Sequence, residues 1–305
     1  MQIQAITYFN ELVKCRSIRQ AAQNLGVSAT AISRQLDNLE YYFGAPLMER
    51  GARGIELTAA GEVVAEHLHS ANRSFGQAKQ FIDDLRGLRR GEVCVHVNGA
   101  ASGSVLAHAV ASFARDYPAV RLTIVESSAR DGLMAVARGD ADLSLTMFSP
   151  DDVRVNARVQ VPLAYRAIMA PDHPLAALKQ VGLEDLASVP LTLPDRSYSL
   201  RQALETRLKR AGMAPADVAF TTASMTVQKE LARLGATLLI LPELSVVRDL
   251  ELGQLVARPL APDARVDTQL QLSLPQDTSL SFAAERFSRH LALLLLSDFQ
   301  GVSLR

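Results

Sequence analysis

The chain has 305 residues, 48% of them apolar and 21% charged, which gives enough apolar material for two or more compact units and excludes a mainly disordered chain. Lys plus Arg and Asp plus Glu both number 32, so overall charge carries no sign of a nucleic-acid partner, and the two cysteines, Cys15 and Cys94, exclude a disulfide framework. The opening MQIQAITYFN has neither the basic nor the apolar region of a signal peptide, and the apolar run Leu291 to Leu296 is far short of the roughly 20 residues of a membrane span, so a cytoplasmic protein with no membrane partner is expected.

Ile3, Ile6, Phe9 and Val13 recur at helical spacing and predict a first helix with one apolar stripe. Residues 18 to 43, IRQAAQNLGVSATAISRQLDNLEYYF, then hold two short helical patterns around the turn Gly26-Val27-Ser28. Ser17 and Gln20 are spaced as a capping box for the first, Gly26 stands where a left-handed residue ends it, and Ser28 is placed to cap the second. In the second helix Ile32, Leu36, Leu39 and Phe43 share a face that can pack on Ala21, Ala22 and Leu25. The opposite face carries Thr30, Ser33, Arg34 and Asp37, short-reach donors and acceptors that suit a helix in the major groove. By itself the stretch fits any close-packed two-helix hairpin equally well.

After Gly44-Ala45-Pro46, the segments LMER, GARG and IELT read as a short hairpin with glycines at its tip, a wing that places Arg50 and Arg53 for phosphates or a minor groove. Residues 14 to 53 carry six basic groups against three acidic ones, a modest excess that fits a small DNA reader. The whole run from ITYFNELVKC to IELTAAG resembles the DNA-binding domain of LysR-type transcriptional regulators. The residues that carry the resemblance include Phe9, Ser17, Ala21, Ala22, Val27, Ser28, Ala31, Ile32, Ser33, Leu36, Leu39, Glu40, Phe43, Gly44, Leu47, Arg50, Leu57, Thr58, Ala60 and Gly61. Two positions depart from the pattern: Arg16 stands where the family has Gly, and Met48 where it has Phe. If Arg16 ends the first helix in a left-handed conformation, the strain is on the order of 1 kcal/mol or more.

Thr58 is expected to cap a long helix from Ala59 to about Arg86. Within it Val64, Leu68, Ala71, Phe75, Ala78, Ile82 and Leu85 alternate spacings of four and three, a heptad seam whose period favours another helix over the chain's own domains. A dimer through Val64, Leu68, Phe75 and Ile82 is the expectation, and the resemblance implies the same contact, with tetramers as dimers of dimers. His67 and His69 lie two apart on different faces, which argues against a metal site.

Leu88 to Gly91 breaks the helical pattern, and beyond it strand and helix alternate, which argues for a parallel α/β sheet. VCVHV, VRLTIVE and ADLSLTM with their intervening helices form one series. YRAIMA, PLTLP, DVAFTT, TLLILP and QLVARPL, with helices near 199 to 211 and 225 to 234, form a second, and DTQLQLSLP and a helix from about Ser281 close the chain. The expected organisation is a winged helix-turn-helix at 1–58, a linker and dimerisation helix at 59–87 and a bilobal α/β domain at 91–305. Its first lobe spans about 91–161 and 267–305, its second about 162–266. The bilobal form and its likeness to periplasmic solute-binding proteins are what the resemblance implies.

The motifs of nucleotide binding, nucleophilic hydrolysis and metalloproteolysis are missing, and the six histidines are scattered. No catalytic residue, metal or cofactor is therefore expected. An enzyme using the bilobal cleft stays as the alternative of a different class. A thiol redox sensor is weaker still, because Cys15 and Cys94 fall in different domains. In open α/β sheets ligands bind beyond the carboxyl ends of strands, where helices begin. That rule singles out Ser102, Ser128, Ser197 and Thr222 as effector-binding candidates, although capping is the commoner job for each alone. The expected function is a sequence-specific transcriptional regulator set by a small, anionic effector between two lobes. Its expected partners are double-stranded DNA, the effector and further copies of the chain, with RNA polymerase as a candidate contact.

Overall fold

The computed structural model describes residues 3–51, 54–85, 90–99, 105–276 and 279–300. They form two compact units, Met1–Gly87 and Leu88–Arg305.

The first unit begins with α1 (Ile3–Cys15), α2 (Ile18–Leu25) and α3 (Ala29–Phe43). It continues through the antiparallel hairpin of β1 (Met48–Gly51) and β2 (Gly54–Leu57) into α4 (Ala59–Leu85). The caps are the local cause of the helix-turn-helix. Ser17 accepts from the Gln20 N–H at 3.3 Å, Gly26 is left-handed at φ 66°, and Ser28 accepts from the Ala31 N–H at 3.2 Å. The capping box at Ser17 forms in one direction: the Gln20 amide donates instead to Asn24, whose own amide donates to Glu11 on α1 at 2.7 Å. That chain ties α2 to α1 on the exposed side of a core built from Leu12, Ala21, Ala22 and Ile32.

Arg16 does adopt a left-handed φ of 51°, and its carbonyl accepts from Ile55 in the wing at 3.1 Å. Gly54 is at φ 122°, and a Cβ there would stand 2.8 Å from that same oxygen, so the wing approaches the turn as closely as only glycine allows. Phe43 departs from the expected buried face. It is 40% exposed and meets the Tyr42 ring edge-on, because the last turn of α3 runs past the partners that cover Ile32 and Leu39.

The second unit opens with β3 (Gly91–Val97), α5 (Ala107–Asp116), β4 (Val120–Glu126), α6 (Ala129–Ala137) and β5 (Leu143–Met147). Next comes β6 (Val155–Met169), a strand three times as long as β5. The chain goes on through α7 (Leu183–Ala187), β7 (Leu191–Leu193), α8 (Ser199–Arg210), β8 (Val218–Thr221), α9 (Met225–Arg233) and β9 (Leu239–Pro242). It closes with α10 (Val247–Glu251), β10 (Val256–Pro259), β11 (Asp267–Pro275) and α11 (Phe282–Gln300).

The fully parallel sheet suggested by the alternation is corrected to a mixed one. β3 pairs in parallel with β4 and β5, and β7 with β8, but β11 and β6 run antiparallel to their neighbours. The cause is connectivity. The chain inserts β11, from its C-terminal part, between β5 and β6, and β11 runs antiparallel to both. β6 was legible only in its second half. Its first half contains Pro162 and pairs on one side with β11, an edge position where proline is tolerated.

β6 also divides the unit into lobes. Val161 and Leu163 belong to a core with Val95, Phe113, Leu145 and Phe287, whereas Tyr165, Ala167 and Met169 belong to one with Leu191, Leu204 and Ile240. The change falls where β11 ends its pairing with β6 at Ala164 and Asp267, and β9 and β10 take over from Tyr165 onward.

Candidate functional site

On α3 the predicted reading residues stand on the open face: Thr30 and Arg34 are exposed and Ser33 is half-buried. Ile32 and Leu39 are buried on the opposite side. Arg50 lies on β1, and Arg53 lies outside the described residues. The wing is anchored by Glu40 of α3, whose carboxylate accepts from the Leu47 and Met48 N–H groups at 2.7 and 3.2 Å.

The proposed dimer seam needs correction in its first half. Val64 and Leu68 are 8% and 4% exposed and pack with Ala5, Ile6, Phe9 and Leu47 in the unit's own core. A heptad pattern cannot say which apolar positions a helix spends on its own domain, and α4 uses its first turns on α1. Among the described residues, Phe75 and Ile82, 49% and 51% exposed, are the large seam side chains that stay uncovered.

In the second unit a cavity of about 370 Å³ opens at the crossing between lobes. Its first-lobe wall includes Asn98, Glu126, Ser128, Arg130, Met147 and Phe148. Its second-lobe wall includes Tyr165, Thr192, Ser197, Tyr198, Gln202 and Gln228. Ser128 caps α6 and also donates to Asp131 at 2.7 Å, and the Ser197 N–H donates to Asp195 at 2.8 Å. The start of α8 has no side-chain cap: Ser199 lies inside the helix, and the Gln202 amide donates to the Arg196 carbonyl at 2.9 Å. The structure thus brings Ser128 and Ser197 to one cavity. Thr222 stays out of its wall, where its hydroxyl accepts from the Ser224 N–H at 3.1 Å, and Ser102 lies outside the described residues.

Phe148 holds the crossing. It is left-handed at φ 56°, donates its N–H to Thr268 at 3.0 Å, lies 5.7 Å from the Tyr165 ring and touches both lobe cores. A non-glycine residue kept in that conformation is strained, and here the strain sits at the floor of the cavity. Asn98 joins the ends of β3 and β5 by two bonds of 3.2 Å to the Met147 backbone. Among the described residues the charged members of the wall are Glu126 and Arg130. Burial pushes the Tyr198 phenol up, and the nearby carboxylates of Asp195 and Glu126 push it further.

Sequence reasoning missed Asn98, Tyr165, Thr192 and Gln228. Asn98 directly follows a strand and was within reach of the strand-end rule. Tyr165 and Thr192 sit within strands and Gln228 within a helix, and pairing alone brings them to the cavity. Among the described residues no group of three His, Cys, Asp or Glu side chains could hold a metal ion, and no helix is long and apolar enough to cross a membrane.

Comparison with known proteins agrees with this two-part construction. Residues 3–62 match the model of bacterial regulatory helix-turn-helix proteins of the lysR family, and residues 86–294 match the LysR substrate binding domain. The chain is 26% identical to a probable nitrogen assimilation transcriptional activator of Synechococcus elongatus over 99% of both proteins. It is 29% identical to the transcriptional dual regulator GltC of Bacillus subtilis over 80% of this chain and 81% of that one. Among solved structures, full-length CbnR complexed with its target DNA has the same fold, with a TM-score of 0.69 at 23% identity, covering 96% of this chain and all of that one. With both family models matched in chain order, a helix-turn-helix followed by a two-lobed substrate-binding domain, the chain belongs to the LysR family of transcriptional regulators.

Proposed function

We propose that the regulator reads paired half-sites of a near-palindromic operator with Thr30, Ser33 and Arg34 in the major groove and Arg50 and Arg53 on the backbone. The exposed face of α3 supports this reading, since it offers donors on a helix whose other side is buried through Ile32 and Leu39. Arg34→Ala should weaken operator binding by about fivefold to 150-fold, given about 1–3 kcal/mol for a good base contact. Loss of Arg50 or Arg53 should weaken all sequences alike and flatten the salt dependence. Unchanged affinity of a folded Arg34→Ala, Arg53→Ala double variant would rule this out.

Two reading helices require two copies, and Phe75 and Ile82 are proposed as the contact. An aspartate at both positions would bury unpaired charge at such a contact and should leave a monomer by sedimentation. A dimer that persists at low micromolar concentration would move the contact elsewhere. Leu68→Asp is the wrong test, because it would break the unit's own core.

The effector reading is a small carboxylate-bearing molecule in the interlobe cavity, and the observation that carries it is the convergence of three helix starts on one space. Ser128 precedes α6, Tyr198 and Ser199 open α8, and Met225 opens α9, and all of them line the cavity. Free N–H groups and positive dipole ends favour an anion there, with Arg130 as the cation at the wall. Met147, Phe148, Leu200 and Ile240 add an apolar surface for the body of the molecule. Binding would bias the angle between lobes, and through the dimer the spacing of the reading helices, by no more than its differential affinity for the two states. No catalysis is assigned to the cavity, since regulators of this family work by binding.

A thermal-shift screen of small organic acids against the intact chain tests the reading. Acids should stabilise it, and Arg130→Gln should weaken that stabilisation. Stabilisation by neutral apolar compounds alone, or stabilisation by acids that survives Ser128→Ala combined with Arg130→Gln, would count against it.

A further inference from the structure

Three polar side chains of the second-lobe wall are more than nine-tenths buried: Tyr165 on β6, Thr192 on β7 and Gln228 on α9, at 5%, 1% and 4% exposure. Each spends only part of its hydrogen-bonding capacity on the protein. The Gln228 amide nitrogen donates to the Thr222 carbonyl at 2.7 Å, which fixes the amide orientation and leaves Oε1 with no partner among the described residues. The Tyr165 hydroxyl meets the Met147 thioether at 3.8 Å, a weak acceptor for a buried donor. The Thr192 hydroxyl donates to Thr237 at 3.0 Å and keeps its acceptor lone pairs. Buried polar groups are normally paired, so a donor and an acceptor left with spare capacity at one cavity call for a ligand group that supplies both complements.

The charge distribution says what kind of group. Both charged wall residues, Glu126 and Arg130, belong to the first lobe, flanking the start of α6, and among the described residues the second-lobe wall carries no charge. A second carboxylate placed there would be desolvated with no cation to offset it. Burial also pushes the Tyr165 phenol well above its ordinary range, so the hydroxyl remains a donor at neutral pH.

We propose that Tyr165, Gln228 and Thr192 recognise an uncharged hydrogen-bonding group, a hydroxyl or a carboxamide, on an effector that carries a single carboxylate at its other end. A ligand hydroxyl accepts from Tyr165 and donates to Gln228 Oε1. A carboxamide does the same with its carbonyl and its N–H, and Thr192 accepts a further N–H. The proposal rests on the reading that the cavity holds a carboxylate, and deepens it from any small acid to hydroxy and carboxamide monoacids.

The test is calorimetric titration of the intact chain with two matched sets: butanoate, its terminal alcohol, succinamate and succinate; and hexanoate, its terminal alcohol, adipamate and adipate. In at least one set the alcohol or the amide should bind about tenfold more tightly than both the parent acid and the diacid. In a Tyr165→Phe, Gln228→Leu variant the preference, read as the ratio of affinities within the variant so that any general loss of binding cancels, should shrink to within about twofold. Gln228→Met, closer in shape, replaces Gln228→Leu if the melting temperature falls. A diacid that binds as tightly as its amide, or a preference that survives the double variant, overturns the proposal and leaves the carboxylate reading standing. Absence of binding by every acid of both sets overturns the carboxylate reading, and the proposal with it.

Discussion

Gly61→Ala should unfold the N-terminal unit at a temperature where the parent chain is intact, and with it abolish operator binding. Gly61 lies in the first turn of α4, and a Cβ there would stand 1.9 Å from the Leu47 carbonyl oxygen and 2.9 Å from its carbon. Both are backbone atoms, and the same oxygen accepts from the Thr58 N–H at 3.1 Å, while the Thr58 hydroxyl accepts from Gly61 itself at 2.9 Å. The extra methyl therefore has to lift α4 off the wing and break its own N-cap. Overpacking and cap loss together put the cost on the order of 3–4 kcal/mol. Such a loss is a large part of the whole stability of a unit this size. Gly76, further along α4 with nothing within 4 Å, is the control. Its change to Ala should be neutral or stabilise by up to about 1 kcal/mol through helix propensity. Equal melting of the two variants would show that α4 does not need its contact with Leu47.

The contrast between these glycines marks where sequence reading succeeds. The helix-turn-helix was legible because its causes are local: Ser17, Gly26 and Ser28 each act within one turn of where they stand. The left-handed Arg16 was raised only as a condition, from the glycine that the resembling family has at that position, and the structure meets the condition. Phe43 and the pair Val64 and Leu68 were misjudged because periodicity identifies an apolar face and not what covers it. In the second unit the positions of most strands and helices were readable, but their pairing was not. The antiparallel crossing of β6 and β11 joins residues about a hundred apart in sequence, and no short pattern encodes it. The same limit explains the cavity. Ser128 and Ser197 carry a strand-end signal, whereas Tyr165, Thr192 and Gln228 look like interior residues until the lobes are assembled.

Asp249→Asn should cost the second lobe about 2–3 kcal/mol at neutral pH, the range for breaking a buried ion pair reduced for cations that can regain solvent. The Asp249 side chain is 2% exposed on α10 and receives Lys229 at 2.9 Å and Arg233, both from α9. Those two side chains are 25% and 32% exposed, which is why the full penalty of a stranded buried charge does not apply. Burial raises the Asp249 carboxyl, but the hydrogen bonds from Arg233 and Lys229 outweigh it and hold the group below the ordinary carboxylate range. Since its folded value is depressed, its contribution is complete above the unfolded value of about 3.9 and is lost as pH falls through the folded one. The variant should therefore be less stable at neutral pH and lose less on acidification, so the two stability curves converge below about pH 4. α9 carries Gln228 and Met225 to the cavity from the same helix that Asp249 clamps, so loosening the clamp should also weaken effector binding. Urea titrations of both chains from neutral pH to acid check the first part. Parallel curves, with the same difference at every pH, would mean that the ion pair is exchanged for solvent without loss and that packing alone positions α9.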